Sequence, residues 1–223
     1  MIIPMILPIV YSLKFKRESI MEIVLISISM VIIVITYWPL TTELILPSNI
    51  AVKFILFVFI PIIILYIARK YKQQDGNTTY SFDKFGISTN GIKQSVKLSL
   101  ILIPVMLLST FLIKSLTTSV GVEPNFSLGV VSFIESFTEE FFFRGILFIF
   151  LIKKTSFKVA YVTSLASFVL MHPQNFTSLY IITTIIQGIL TLEICRRTKN
   201  IAGAWILHGT NRFFSIFLLP FLL

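Results

Sequence analysis

Charged residues are scarce in this sequence. Only 13% of its 223 residues are Asp, Glu, Lys or Arg, whereas 56% are hydrophobic and the mean hydropathy is +0.91. An average soluble domain carries about a quarter charged residues, so this composition excludes an ordinary soluble protein. It predicts an integral membrane protein instead.

Several other features are missing. The single cysteine, Cys195, excludes an internal disulfide and is expected to be an inert thiol. The chain has no G-x-S-x-G, no H-E-x-x-H and no glycine-rich phosphate loop, the motifs of serine hydrolases, zinc proteases and nucleotide-binding proteins. The net charge is +9, but the basic residues lie in short loops rather than on a soluble face, so no nucleic-acid partner is expected.

Eight hydrophobic segments approach the length of about 20 residues that a membrane-spanning helix needs. They cover approximately residues 2–13, 20–40, 50–68, 98–113, 127–152, 158–173, 177–194 and 200–223. The first segment contains Pro4 and Pro8, so seven spans plus a re-entrant piece is the alternative. The pattern predicts an all-α polytopic bundle of about eight transmembrane helices, a single domain over 1–223, with a motif-bearing core at about 127–215 and a catalytic cavity inside the bilayer.

Basic residues mark alternate loops. Of the 19 Lys and Arg residues, 15 lie in four such loops or at their edges: Lys14, Lys16, Arg17; Arg69, Lys70, Lys72, Lys84, Lys93, Lys97; Lys153, Lys154, Lys158; Arg196, Arg197 and Lys199. Because such loops stay on the cytoplasmic side, both termini are predicted to lie outside. The richness in Ile, Lys and Phe favours a bacterial plasma membrane.

One hydrophobic segment, Phe133–Phe150, contains four charges. Glu140 and Arg144 are four residues apart and are expected to form an ion pair that supports the fold. Glu139, rotated about 100° from Glu140, is left without a cation. Glu135 lies on the face of Glu139, and repulsion between the two acids is expected to favour a proton-accepting carboxylate.

The chain has two histidines, His172 and His208, and both lie in predicted spans. Counted inward from the basic loops, Glu139, His172 and His208 lie about 21, 21 and 14 Å deep, so they can meet in one layer. Asn211 projects from nearly the same face as His208. Any one of these polar residues could instead simply join helices by hydrogen bonds.

One glutamate and two histidines permit two kinds of hydrolysis. The carboxylate can act as a general base on water while an imidazole orients that water, and His with Asn can stabilise an oxyanion. Alternatively, Glu139, His172 and His208 match the ligand set of a catalytic zinc. Either arrangement could cleave a peptide bond.

Three motifs occur in order on separate segments: "EEFFFR" from Glu139, "FVLMH" ending at His172, and "HGTNR" from His208. Together they resemble the motifs E-E-x-x-x-R, F-x-x-x-H and H followed by Asn or Asp of the CAAX-processing and bacteriocin-processing (CPBP or Abi) intramembrane endopeptidases. That family includes the eukaryotic type II CAAX prenyl endopeptidase. The resemblance implies about eight helices and a protease of the glutamate or metalloendopeptidase type.

Residue by residue, the resemblance implies that Glu139 and His172 activate the attacking water and that His208 stabilises the oxyanion. Glu140 and Arg144 would support the site. The substrate would be a peptide or a membrane-anchored protein, met within membrane lipid, with peptide maturation, bacteriocin immunity or surface-protein processing as its setting.

The third motif departs from the family. The family places its Asn four residues after the histidine, where this chain has Arg212, whereas Asn211 lies at three. Asn211 could take over the oxyanion role, and Arg212 could bind a substrate carboxylate. The departure keeps open a non-catalytic scaffold or bacteriocin-immunity protein of the same fold. A proton-coupled transporter would also bury such residues, but no inverted repeat is found.

Overall fold

The computed structural model describes residues 1–43, 46–72, 81–117 and 123–223. In these ranges every regular element is helical, which confirms the all-α prediction. The α-helices are α1 (Ile6–Phe15), α2 (Ile20–Glu43), α3 (Leu46–Phe54), α4 (Ile60–Lys72), α5 (Ile92–Thr117), α6 (Phe126–Glu140), α7 (Leu151–Lys154), α8 (Phe157–Leu170), α9 (Tyr180–Thr198) and α10 (Ala202–Phe213).

Shorter helical elements join or extend them. Among the residues that the structure describes, three stretches are π-helical: Ile55–Phe59 between α3 and α4, Phe141–Phe150 between α6 and α7, and Phe214–Leu218 after α10. Short 3₁₀ turns cover Ile3–Met5, Arg17–Ser19, Phe82–Phe85, Pro173–Asn175 and Leu219–Phe221. The acid-rich end of α6 therefore continues without a break through the aromatic stretch into α7.

Within the described ranges, three helical segments are long and apolar enough to cross a bilayer: Arg17–Tyr37, Asn49–Ile67 and Ile92–Thr117. Two further apolar helices, Ile3–Phe15 and Phe157–Leu170, are shorter. Segments of this length and composition are typical of transmembrane helices. The chain is an integral membrane protein, as its composition predicts.

Local sequence explains several helix ends. Asn125 precedes α6, and its side-chain oxygen accepts a hydrogen bond from the backbone N–H of Leu128 at 2.8 Å. Ser156 caps α8 in the same way through the N–H of Val159 at 3.4 Å. Such caps satisfy backbone donors that have no partner within the helix. Lys199, with a φ of 54°, ends α9 in the left-handed conformation common after helices.

The core is centred on the aromatic stretch that follows α6. All ten residues of Phe141–Phe150 are buried. The ring of Phe143 packs edge-on against Phe168 of α8 with centroids 5.5 Å apart, and Phe57 packs against Phe142 at 5.8 Å. This packing fixes the rotation of the helix about its axis, and with it the directions in which Glu139 and Glu140 point.

Candidate active site

A cavity of about 240 Å³ lies between the helices. Its lining includes all four residues that the sequence predicts to be catalytic: Glu139, His172, His208 and Asn211. Further lining residues are Tyr37, Lys53, Thr110, Phe168, Tyr180, Thr183, Thr184, Gln187 and Arg212. The predicted residues come from α6, α10 and the turn after α8, so tertiary packing brings them together.

Glu139 has two cationic partners. Its Oε1 atom accepts from Nζ of Lys53 at 2.9 Å and from Nη1 of Arg212 at 3.1 Å, and only 2% of its side chain is exposed. The prediction that Glu139 lacks a cation is therefore wrong. Lys53 lies on α3 and Arg212 on α10. Both reach Glu139 because these helices pack against α6, which the spacing of residues within α6 could not indicate.

Glu135 shares the same two cations. Its Oε1 atom lies 2.9 Å from Nζ of Lys53, and Nη2 of Arg212 also donates to it. The two acids and two cations form a largely buried cluster whose formal charges cancel, with 26% of the Arg212 side chain exposed. The expected repulsion between Glu135 and Glu139 is thus offset by two cations between them.

His172 lies just beyond the end of α8, in the turn before Pro173, and not within a helix that runs to residue 173 as predicted. Proline disfavours helical backbone at the residue before it, which explains this early end. Nδ1 of His172 lies 2.9 Å from the carbonyl oxygen of Phe168. Because a carbonyl can only accept, the proton is assigned to Nδ1, and Nε2 carries the lone pair.

His208 is held by Glu140 on α6. Nδ1 of His208 lies 2.8 Å from Oε1 of Glu140, so this nitrogen is assigned as the donor. The predicted pair of Glu140 and Arg144 is present, with Nε of Arg144 3.2 Å from Oε2 of Glu140. Nε of Arg144 also donates to the hydroxyl of Thr191 at 2.9 Å. Glu140 therefore both neutralises Arg144 and orients His208.

The two imidazoles face one carboxylate oxygen. Nε2 of His172 lies 3.8 Å from Oε2 of Glu139, and Nε2 of His208 lies 3.9 Å from the same atom. This oxygen is buried and accepts no hydrogen bond from any described residue. With both Nδ1 atoms protonated, three acceptor atoms converge on one point. A molecule that brings donors of its own can satisfy such acceptors, and one water molecule has donors for two of the three.

Asn211 and Arg212 have different partners. The amide nitrogen of Asn211 donates to Gln187 at 2.9 Å, and its oxygen accepts from the hydroxyl of Thr110 at 2.7 Å. Arg212 instead faces Glu139 and Glu135. Both residues line the cavity, but the ion pairs of Arg212 do not leave it as a free receptor for a substrate carboxylate.

Sequence reasoning missed Lys53, Thr110 and Gln187. Lys53 did carry a usable signal, because it is one of only four basic residues outside the four basic loops. A charged residue within an apolar segment calls for a buried partner. Thr110 and Gln187 are common polar residues in apolar helices, and nothing in their spacing sets them apart.

The residues do not fit the zinc site considered from the sequence. Ligand atoms around a tetrahedral zinc lie about 3.3 Å apart, since each bond is about 2.0–2.1 Å long, whereas the imidazole nitrogens lie 3.8 and 3.9 Å from the carboxylate oxygen. No group of three His, Cys, Asp or Glu side chains suited to a metal ion is found in the described part of the chain. A dication here would also be an uncompensated charge beside Lys53 and Arg212.

Comparison with known proteins supports the motif assignment. Residues 121–214 match the family model described as type II CAAX prenyl endopeptidase Rce1-like. No curated protein and no solved structure matches the chain. The matched range contains Glu139, His172, His208 and Asn211. The resemblance predicted from the three motifs is confirmed, and the part of the chain that carries the candidate site matches the Rce1-like family of type II CAAX prenyl endopeptidases.

Proposed function

We propose that this protein is an intramembrane endopeptidase that hydrolyses a peptide bond of a peptide or membrane-anchored protein through a metal-free glutamate and histidine mechanism. The family match supports a CAAX-type endopeptidase in general. The observation that carries the finer proposal is the convergence of three acceptor atoms, Oε2 of Glu139 and Nε2 of His172 and of His208.

The proposed architecture is a bundle of about eight spans with the cavity inside the bilayer. In the described part of the chain, three helices meet the criteria of length and hydropathy for a span. The other predicted segments overlap helical stretches, of which Phe126–Glu140, Phe141–Phe150 and Leu151–Lys154 follow one another without a break. With four basic loops in the cytoplasm, both termini lie outside, in what we take to be a bacterial plasma membrane.

In the proposed mechanism, a water molecule donates one hydrogen bond to Oε2 of Glu139 and one to Nε2 of His172. Its lone pair then points toward the carbonyl carbon of the substrate. As the water oxygen bonds to that carbon, Glu139 takes its proton as general base. The same proton is later delivered to the leaving amine when the C–N bond breaks. The products are a carboxylic acid and an amine, and the acid gives up its proton, the second proton of the water, to leave a carboxylate and an ammonium group.

The oxyanion side of the mechanism is assigned to His208 and Asn211. For this role His208 takes up a second proton from solvent at Nε2 when the substrate binds and donates it as a hydrogen bond to the oxyanion. The carboxylate of Glu140 against Nδ1 stabilises this imidazolium, and the proton returns to solvent when the products leave. The amide nitrogen of Asn211 has two N–H groups, of which one is used by Gln187. Its second N–H is available for the oxyanion because Thr110 holds the amide oxygen in place. Arg212 keeps Glu139 oriented and ionised.

The test is peptide hydrolysis by the purified protein in proteoliposomes, with products identified by mass spectrometry from a mixed set of membrane-anchored reporter peptides. Glu139→Gln is expected to lower the rate on the order of 10²-fold or more. The matched control is Glu193→Gln, since Glu193 pairs with Arg196 and Arg197 at the surface. If Glu139→Gln cleaves at the parent rate and folds normally, the proposal fails.

A second candidate is a non-catalytic scaffold or bacteriocin-immunity protein of the same fold. It is favoured by the pairing of Glu139 with two cations, which weakens the carboxylate as a base. It predicts that no reporter is cleaved and that Glu139→Gln keeps any immunity phenotype in cells. If the protein is an endopeptidase, Glu139→Gln should abolish both cleavage of the reporter and the phenotype in cells.

A further inference from the structure

The basic loops gather at one end of the molecule. Nζ of Lys16, between α1 and α2, donates to the carbonyl oxygen of Thr155 at 3.4 Å. Nζ of Lys154 pairs with Glu22 at the start of α2 at 2.8 Å. The connection from α1 to α2 therefore lies beside the connection from α7 to α8.

The other two basic loops meet at the same end. The side-chain nitrogen of Asn200, between α9 and α10, donates to the carbonyl oxygen of Ser88, before α5, at 2.7 Å. The N–H of Ile201 donates to the carbonyl oxygen of Gly86 at 3.0 Å. Lys199 lies over the ring of Phe148, close to α7, at 5.9 Å. The described parts of the four basic loops thus form one surface, which we call the basic end.

A second set of contacts defines the opposite end. Nζ of Lys114, near the end of α5, lies 5.8 Å from the ring centre of Tyr180 at the start of α9. The N–H of Asn125, before α6, donates to the carbonyl oxygen of Ile216, beyond α10, at 3.4 Å. These residues are a full helix length away from the basic loops.

The cavity extends from the middle of the bundle to this opposite end. Its lining includes His172, Gln174 and Asn175 from the turn after α8, and Tyr180 from the first turn of α9. Thr110 also lines it and lies roughly 18 residues, or about 27 Å, along α5 from its start at the basic end. No residue of the basic loops is among the described lining residues. Gln174, which is exposed, lies at the mouth.

Loops rich in Lys and Arg are retained in the cytoplasm. We infer that the cavity opens on the side of the membrane that faces away from the cytoplasm. Its substrate class is a peptide segment presented on that side: an exported peptide, or the part of a membrane protein that emerges there. A cytoplasmic tail would meet the basic end, where no described residue lines the cavity. That this segment is cleaved rests on the proposed function, whereas the side on which the cavity opens does not.

The opening is tested by labelling single cysteines in intact cells with a membrane-impermeant maleimide. The native cysteine, Cys195, is fully buried and should not react with the maleimide, so the parent protein serves as the unlabelled control. Gln174→Cys lies at the mouth, and Thr177→Cys is a second exposed reporter in the same turn. Thr89→Cys, exposed beside the loop of Asn200, is the matched control at the basic end.

We expect the two mouth reporters to be labelled in intact cells and Thr89→Cys to be labelled only after the membrane is permeabilised. The reverse pattern, or equal labelling of all three from outside, overturns the inference. A reporter peptide is then added to right-side-out and inside-out vesicles. Cleavage only in inside-out vesicles also overturns it. Absence of cleavage in both, with the expected labelling, counts against the proposed function alone.

Discussion

Nζ of Lys53 lies 2.9 Å from Oε1 of Glu139, although 86 positions separate the two residues in the sequence. The ammonium group also contacts Glu135 at the same distance, and only 5% of the Lys53 side chain is exposed. With Arg212 on the same acids, and Arg144 on Glu140, three acids are matched by three cations. Charge balance is thus part of how this site is held within an apolar bundle.

Removing Lys53 should destabilise the protein. Lys53→Met leaves two buried carboxylates with one cation, and breaking a buried pair in this way costs about 3–5 kcal/mol of the free energy of unfolding. Adding Glu135→Gln to the same chain restores the balance and should recover part of the loss. The measurement is thermal unfolding in detergent micelles.

Lys93→Met is the control for this prediction, since Lys93 is exposed on α5. It should unfold close to the parent temperature. If the double variant is no more stable than Lys53→Met alone, charge balance does not explain the cluster.

Glu140→Gln should lower kcat and leave KM nearly unchanged. The carboxylate of Glu140 orients His208 through a 2.8 Å hydrogen bond and stabilises its protonated form. The neutral amide of Gln orients His208 less well and does not stabilise its positive charge, so kcat is expected to fall about 10²-fold or more. Steady-state kinetics on a cleaved reporter give both constants. A rise in KM at constant kcat would instead place Glu140 in substrate binding.

Chelators should not affect hydrolysis. The formal charges around Glu139 already cancel, and the nitrogen-to-oxygen separations of 3.8 and 3.9 Å exceed those between zinc ligands. The purified protein, dialysed against a strong chelator, should retain its rate and contain no stoichiometric zinc by elemental analysis. Loss of activity that zinc restores would contradict the metal-free mechanism.

Gly203→Ala should destabilise the contact between α10 and α5. The N–H of Gly203 donates to the hydroxyl of Ser95 at 2.9 Å, and an added Cβ would collide with the backbone oxygen of Ser95. Backbone cannot move aside as a side chain can, so a loss of about 1–3 kcal/mol is expected. Thermal unfolding measures it.

Gly129→Ala provides the comparison for that variant. A Cβ at Gly129 would meet the ring of Phe213 at 3.0 Å, and this ring lies on a rotatable side chain. Gly129→Ala should therefore be the milder change. Equal losses at both glycines would show that the backbone of Ser95 is not the obstacle.

The ion pair of Glu140 and Arg144 could be predicted because both residues lie in one helical stretch, where spacing alone brings them to one face. The cations on Glu139 could not. Lys53 and Arg212 come from α3 and α10, and their distances depend on how those helices pack. For the same reason, the expectation that Glu139 lacks a cation fails while the expectation for Glu140 holds.

The position of His172 shows a second limit. The hydrophobic pattern continues to residue 173, but the helix ends at Leu170. Hydropathy measures how apolar a segment is and does not report where backbone hydrogen bonding stops. Pro173 was the local sign of the boundary.

By itself, the sequence determined that this is a helical membrane protein with three ordered motifs, because composition and spacing act within single segments. It also determined which acids and histidines are too costly to bury without partners. Only the tertiary structure decided which cation meets which acid and which imidazole nitrogen faces Glu139. It also decided at which end the cavity lies. These are contacts between helices, and the packing of one helix on another is not encoded in the periodicity of either.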